Sequence, residues 1–292
     1  RLHRGAAIEL PPLDVRSLLK RHRLDPRKGL GQNFLVDHKA LWKIVDSAGV
    51  TPEDTVLEIG AGLGSLTRLL AVSAAKVKAV EIDHKLIPVL GEVVASFQNI
   101  EVIQGDILEM DPGKLMKDTG YIVVANIPYF ITSAIVRHLL ECTVRPGRLV
   151  LTMQQEVAER ICALPGELSL LALSVQVYGQ PKIVARIPAA SFYPAPSVDS
   201  AALRVDLYHE PYFNDQQRNK FFTLIRMGFA QKRKMLRNTL AAGLHISGDE
   251  AARYLTAAGI DPGRRAQTLN LVEWKTLVNE LADLLPGKTG GD

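Results

Sequence analysis

The stretch Thr55-Val56-Leu57-Glu58-Ile59-Gly60-Ala61-Gly62-Leu63-Gly64-Ser65-Leu66-Thr67 decides the fold. An apolar run of strand length, Thr55–Ile59, meets three alternate glycines, and residues 66–73 then read as a helix. Glycines at a strand-to-helix turn let the backbone approach a ligand closely. The same alternation continues outward. Residues 77–81, 100–104, 121–125 and 149–154 read as strands, and 85–94 and 131–140 as helices. This predicts parallel strands with crossover helices, an α/β doubly wound sheet. The β-rich runs 171–178 and 200–207 are expected to add antiparallel strands at one edge. Beyond Tyr208-His209-Glu210-Pro211 the apolar spacing is helical, over 221–240, 249–258 and 271–285. The resulting division is a basic extension over 1–30, a cofactor-binding α/β domain over 31–210 and a small all-helical domain over 211–292.

Composition narrows the class. The chain has 292 residues, 47% hydrophobic and 23% charged, which excludes disorder and collagen. Two cysteines, Cys142 and Cys162, are too few for a disulfide framework and suggest a reducing compartment, hence a cytoplasmic protein. No run of eighteen apolar residues exists and the first residues lack a secretory apolar core, so no membrane engagement is expected. The seven histidines show no metal-ligand spacing, and no metal is expected. The net charge of +4 is mild, but its distribution is not. Residues 1–30 carry eight basic side chains against Glu9, Asp14 and Asp25. Between Arg218 and Arg237 lie seven cations and no acid, with Phe221, Phe222 and Phe229 interleaved. That run reads as an amphipathic helix facing phosphates, or as a merely solvated basic face.

The glycine loop also points to a cofactor. Glu81 ends the second strand twenty-one residues after Gly60, where an acid accepts hydrogen bonds from ribose hydroxyls. Dinucleotide enzymes use Gly-x-Gly-x-x-Gly. This loop is Gly-x-Gly-x-Gly after Glu58 and resembles the S-adenosylmethionine loop of class I methyltransferases, which disfavours an NAD dehydrogenase. Asp106, at the end of the third strand, can bind an adenine amino group or simply cap a helix.

The fourth strand ends in Asn126-Ile127-Pro128-Tyr129, at the sheet's carboxyl edge. An exocyclic adenine amine is a poor nucleophile because its lone pair is delocalised into the ring. The Asn126 oxygen and the Ile127 carbonyl can each accept one amine hydrogen, favouring a pyramidal nitrogen. Pro128 fixes their convergence. Tyr129 offers a π face to a base that has left its stack.

With these residues in place, the chain resembles the ribosomal RNA adenine N6-dimethyltransferase family, and within it the bacterial small-subunit branch. Matching segments are Gly31-Gln32-Asn33-Phe34-Leu35, the glycine loop, Glu81, Gly105-Asp106, Asn126–Tyr129 and Gln155-Glu156-Val157-Ala158-Glu159-Arg160. They continue in Ser191-Phe192-Tyr193-Pro194-Ala195-Pro196, Val198-Asp199-Ser200 and Phe229-Ala230-Gln231-Lys232-Arg233-Lys234. The resemblance implies a Rossmann-like domain that uses S-adenosyl-L-methionine and releases S-adenosylhomocysteine. Cofactor contacts would fall on Asn33, Leu35, Gly60, Gly62, Glu81, Ile82, Asp106, Ile107 and Asn126. Phe192 would hold the adenine opposite Tyr129, and Arg226, Lys232, Arg233, Lys234 and Arg237 would bind RNA. The implied reaction converts two adjacent adenosines near the 3′ end of small-subunit (16S) ribosomal RNA to dimethyladenosines on an immature 30S subunit, by a monomer.

Two residues depart from the pattern. Ser197 stands where the family usually has Lys, and Ile127 where small-subunit enzymes often have Leu. The Ile form is commoner in the drug-resistance branch that modifies large-subunit (23S) RNA, which is the rival enzyme. A rival of another class is an assembly or transcription factor that keeps the fold without turnover.

Overall fold

The computed structural model describes residues 10–127 and 131–285. Pro128 and Tyr129 therefore lie outside the described residues, as do 1–9 and 286–292. In chain order the first elements are α1 (Val15–Arg21), β1 (Phe34–Leu35), α2 (His38–Ala48), β2 (Thr55–Ile59), α3 (Ser65–Ala71), β3 (Lys76–Glu81) and α4 (Ile87–Val94). Next come β4 (Ile100–Gln104), α5 (Pro112–Leu115), β5 (Ile122–Asn126), α6 (Thr132–Glu141), β6 (Arg148–Gln154), α7 (Gln155–Ile161) and α8 (Leu170–Gln176). The last are β7 (Gly179–Ile187), β8 (Phe192–Tyr193), β9 (Ser200–Leu207), α9 (Asp215–Gly228), α10 (Leu236–Leu244), α11 (Gly248–Ala257) and α12 (Leu271–Glu280).

These elements group into two compact units. One holds residues up to Ala158 together with Pro181–Leu207, and the other holds Glu159–Gln180 with Tyr208 onward. The first is built on a sheet of order β4-β3-β2-β5-β6-β9-β7 among the described residues. Strands β2 to β6 pair in parallel and β9 runs antiparallel to β6. The order reverses between β2 and β5, and ligand crevices in such sheets open at that switch point, beyond the carboxyl strand ends. Val56, Leu57, Val123, Val124, Leu149 and Val150 are fully buried, as strands covered on both faces require.

Helix α2 shows how local sequence sets an element. Leu41, Ile44, Val45 and Ala48 recur at helical spacing and form its buried stripe. Asp37 caps its start by accepting from the amides of Lys39 and Ala40, at 2.9 and 3.1 Å. Gly49, in the left-handed region at φ 60°, ends it. The terminal carbonyls of Ser47 and Ala48 accept from Arg204 and Arg148, at 2.9 and 2.6 Å, and Asp206 pairs with both guanidinium groups.

Two expectations change. Residues 171–178 are not an edge strand. Ser169 caps the turn by accepting from the Ala172 amide at 3.1 Å, and α8 follows with Ala172, Leu173 and Val175 buried. The edge strand is β7, whose Pro181 obscures it in the sequence but is tolerated at an edge. The basic run from Arg218 to Arg237 is not one helix. It covers most of α9, a turn closed by the Lys234 amide on the Gln231 carbonyl at 3.0 Å, and the start of α10. Met235, extended at φ −63° and ψ 148°, breaks the helical path just before α10.

The second unit is helical, around the fully buried Trp274 and Phe221. Phe213 stacks on Phe221 with centroids 4.9 Å apart. Capping boxes pair Asn214 with Gln217 at the start of α9, and Asn270 with Glu273 at the start of α12. Gly228 is required where α9 meets Trp274, since a Cβ would stand 2.8 Å from its ring.

Candidate active site

The cleft opens at the switch point between β2 and β5, where ligand sites of such sheets lie, and it lies wholly within the first unit. Its floor is the glycine loop. Gly60 and Gly62 have φ of 76° and 58°, left-handed values that favour glycine. A Cβ at Gly60 would stand 3.2 Å from the backbone oxygen of Asn126, so only a glycine lets the loop pass this close to the end of β5.

Glu81 is buried beside this loop, with Oε2 accepting from the Gly62 amide at 2.7 Å and Oε1 from the Asp83 amide at 2.8 Å. Burial pushes its carboxyl up, and the backbone donors at Asp83 and Gly62 oppose the shift. Ile82 follows, 47% exposed on the cleft lip, where an apolar side chain can face a flat heterocycle. Asp106 takes the Leu108 amide on Oδ1 at 2.9 Å, an Asx turn, and its carboxylate edges the same cleft beside Ile107.

Asn126 lines the same cleft. Its Nδ2 donates to the Asn33 carbonyl at 3.2 Å, which leaves Oδ1 as the acceptor. Ile127 is buried behind it on the cleft wall. Asn33 and Phe192 also line the cleft, brought together by the two-stranded ribbon β1–β8, in which Leu35 pairs with Phe192. Phe192 is at once a core residue and a wall residue. Leu35 lies one step away, lining a smaller cavity behind the glycine loop with Glu58 and Asn126. Glu58 itself is fully buried and pushed up to about 8, by burial first and by the Glu81 charge in addition, with the Thr67 hydroxyl opposing.

Sequence reasoning missed Gln32 and Asp83. Gln32 lines the cleft and donates to Asp83 Oδ2 at 2.8 Å. The signal was present, since both adjoin residues already singled out, but their partnership spans fifty-one residues. In the helical unit, five of the seven cations between Arg218 and Arg237 are exposed: Arg226, Lys232, Arg233, Lys234 and Arg237. Arg218 pairs with Asp215 at 2.8 Å, and Lys220 donates to the Ala282 carbonyl at 2.6 Å. Among the described residues no cluster of three His, Cys, Asp or Glu could hold a metal, and no helix is long and apolar enough to cross a membrane.

A reversed parallel sheet, a left-handed glycine loop and a buried acid at the next strand end define a Rossmann-like fold of the methyltransferase type. Comparison with known proteins gives the family. The model of the ribosomal RNA adenine dimethylase family matches residues 23–283, and the chain belongs to that family. It is 43% identical over 269 residues to the ribosomal RNA small subunit methyltransferase A of Dehalococcoides mccartyi strain CBDB1, covering 92% of each chain. It is 39% identical over 278 residues to the protein of that name from Alkaliphilus metalliredigens, covering 93% of this chain and 97% of that one. Among solved structures, the 23S rRNA methyltransferase ErmE superposes with a TM-score of 0.71 at 29% identity, over 86% of this chain and all of that one. A dimethyladenosine transferase from Plasmodium falciparum superposes at 0.73 and 25% identity, over 86% and 98%.

Proposed function

We propose that this chain dimethylates N6 of two adjacent adenosines near the 3′ end of small-subunit ribosomal RNA, with S-adenosyl-L-methionine as methyl donor. The observation that carries the reading is Asn126. Its amide is fixed by the Asn33 carbonyl, directly over the glycine loop, so that Oδ1 is left to accept.

The cleft residues fit the donor. Glu81 provides carboxylate oxygens for ribose hydroxyls, Ile82 and Ile107 an apolar slot for adenine, and Asp106 an acceptor for its amino group. Gly60, Gly62, Asn33 and Leu35 border the remaining length towards Asn126. When bound, S-adenosyl-L-methionine supplies an electrophilic methyl on a cationic sulfur and needs no metal.

The chain's own residues prepare the nucleophile. Asn126 Oδ1 and the Ile127 carbonyl each accept one amine hydrogen, which turns the nitrogen lone pair away from the ring. Phe192, with Tyr129 assigned from the sequence alone, clamps the base by stacking, and Pro128 stiffens the turn. Each transfer would form one N–C bond as the donor's methyl–sulfur bond breaks to leave neutral S-adenosylhomocysteine, and the amine would release one proton to water. RNA contacts are assigned to Arg226, Lys232, Arg233, Lys234 and Arg237, with an immature 30S subunit as partner and a cytoplasmic monomer as working unit. The relatives named small subunit methyltransferase A support the choice of RNA.

The rival reading, a large-subunit methyltransferase, draws on Ile127 and on the likeness to ErmE. Labelled-methyl transfer onto undermodified small and large subunits, with the modified nucleotides mapped, tests both. Dimethyladenosine pairs in small-subunit RNA are expected. Label confined to large-subunit RNA selects the rival, and binding without label selects the assembly-factor reading.

A further inference from the structure

Asp83 lies outside the cleft and is 2% exposed, yet three donors converge on it. Oδ1 accepts from the Arg27 guanidinium at 3.2 Å and from the Lys85 amide at 3.1 Å, and Oδ2 accepts from the Gln32 side chain at 2.8 Å. A buried carboxylate is tolerated only when its oxygens are satisfied in this way. Arg27 and Gln32 also close a loop on themselves. The Arg27 amide donates to Gln32 Oε1 at 2.7 Å, and the Gln32 amide donates to the Arg27 carbonyl at 3.3 Å.

The residues this loop carries are wall residues. Leu30, Gly31, Gln32 and Asn33 line the cleft together with Glu81. At their far end Asn126 holds the Asn33 carbonyl, and β1 pairs with β8. Residues 27–33 thus form a strap anchored on one side at Asp83 and on the other at Asn126. Asp83 also donates its own amide to Glu81, which holds Gly62 of the glycine loop. One buried carboxylate therefore ties the strap to the acid at the cleft floor.

We propose that Asp83 is a positioning residue: by fastening Arg27 and Gln32 it holds residues 30–33 against the cofactor, and affinity for the cofactor depends on this latch although Asp83 does not touch the cleft. The inference rests on the reading of the cleft as an S-adenosylmethionine site. The strap is one wall of that site, so freeing its Asp83 end removes contact surface without altering Asn126 or Ile127. Cofactor binding should suffer while the chemical step at saturation does not.

The test uses the full chain, with S-adenosylhomocysteine as the calorimetric probe. Asp83→Ala should weaken its binding by about tenfold or more, the scale of losing charge-assisted hydrogen bonds. KM for the methyl donor should rise by a similar factor, with kcat within about twofold of wild type. Gln32→Ala should weaken binding less, and the double variant should lose clearly less than the sum of the two single losses, because both remove the Gln32–Asp83 contact. Asp83→Asn keeps an acceptor for Gln32 but loses the charge facing Arg27; it should fall between, and serves if Asp83→Ala does not fold. Wild-type affinity in Asp83→Ala, or additive losses in the double variant, overturns the proposal. The latch is also read without ligand. Trypsin should cut after Arg27 and Lys28 at least about fivefold faster in Asp83→Ala, by release of local structure. Unchanged cleavage overturns the latch. No probe binding by wild type, alongside faster cleavage in the variant, would instead sink the cofactor reading and leave the latch standing.

Discussion

Asn126 donates through Nδ2 to the Asn33 carbonyl, and an acceptor role towards an incoming amine must fall to Oδ1. The two halves of one amide thus serve different partners, and substitutions can separate them. Asn126→Ala removes both and should lower kcat by roughly 10²–10³, the scale set by losing one oriented polar contact in a transition state. Loss of the Asn33 contact should weaken S-adenosylhomocysteine binding by less than about tenfold. Single-turnover methyl transfer with calorimetry checks both, and near-normal turnover would remove Asn126 from the mechanism. Glu58 gives a second prediction at this scale. Its carboxyl sits at about 8 in the folded chain against an ordinary 4.5. Between those values the folded chain holds a proton that the unfolded chain has released. Stability therefore falls as pH rises from about 4.5 and levels off above about 8. Glu58→Gln should flatten this slope, matching wild type near pH 5 and exceeding it near pH 9 in denaturant unfolding. An unaltered slope would place the titration elsewhere.

At the scale of elements, α2 depends on partners far away in sequence. Arg148 and Arg204 reach its last carbonyls from β6 and β9, and Asp206 orients both guanidinium groups. Burial pulls the Asp206 carboxyl upward, but the hydrogen bonds and charges of Arg204 and Arg148 outweigh it and hold the group low. Arg148→Ala removes one carbonyl contact and one carboxylate contact together, and should cost about 2 kcal/mol in urea unfolding. A loss below about 0.5 kcal/mol would mean that water replaces the arginine without penalty. Elements also mark where reading the sequence succeeded and failed. Strands β2, β5 and β6 were legible as near-continuous apolar runs, the pattern of parallel strands covered on both faces, while β3 and the half-buried edge strand β4 were legible from Val77, Ala79 and Val80 and from Ile100, Val102 and Ile103. Helix α8 was misread because a short apolar run fits either period, and the deciding group, the Ser169 cap, lies just before it. Strand β7 was passed over because Gly179, Pro181, Lys182 and Arg186 look unlike a strand, and an edge position tolerates all four. The ribbon β1–β8 has two residues on each side and no periodicity to read. It nevertheless brings Asn33 and Phe192 to one cleft. The glycine loop, Glu81 and Asn126 were legible because each lies at the carboxyl end of a strand that was itself legible. Gln32 and Asp83 were not, since only the fold brings their side chains together.

For the whole molecule, the net charge of +4 says little about RNA, but its placement says more. Of the seven cations from Arg218 to Arg237, the turn between α9 and α10 holds Lys232, Arg233 and Lys234, all exposed. Arg218 and Lys220 are tied to Asp215 and to the Ala282 carbonyl, so they are structural charges. The distinction can be measured, because a cation that neutralises a phosphate releases a counterion and one that only faces water does not. Replacing Lys232, Arg233 and Lys234 together by Gln should reduce the slope of log K against log salt by about 2–3 for binding to a small-subunit RNA hairpin. Lys220→Gln should leave that slope within about 0.5 of wild type, while lowering stability through the lost carbonyl contact. Filter binding across a salt series measures the slopes, and unfolding of the same variants measures the stabilities. If the triple variant keeps the wild-type slope, those three side chains face solvent only, and the RNA contacts must be sought on other cations of the chain.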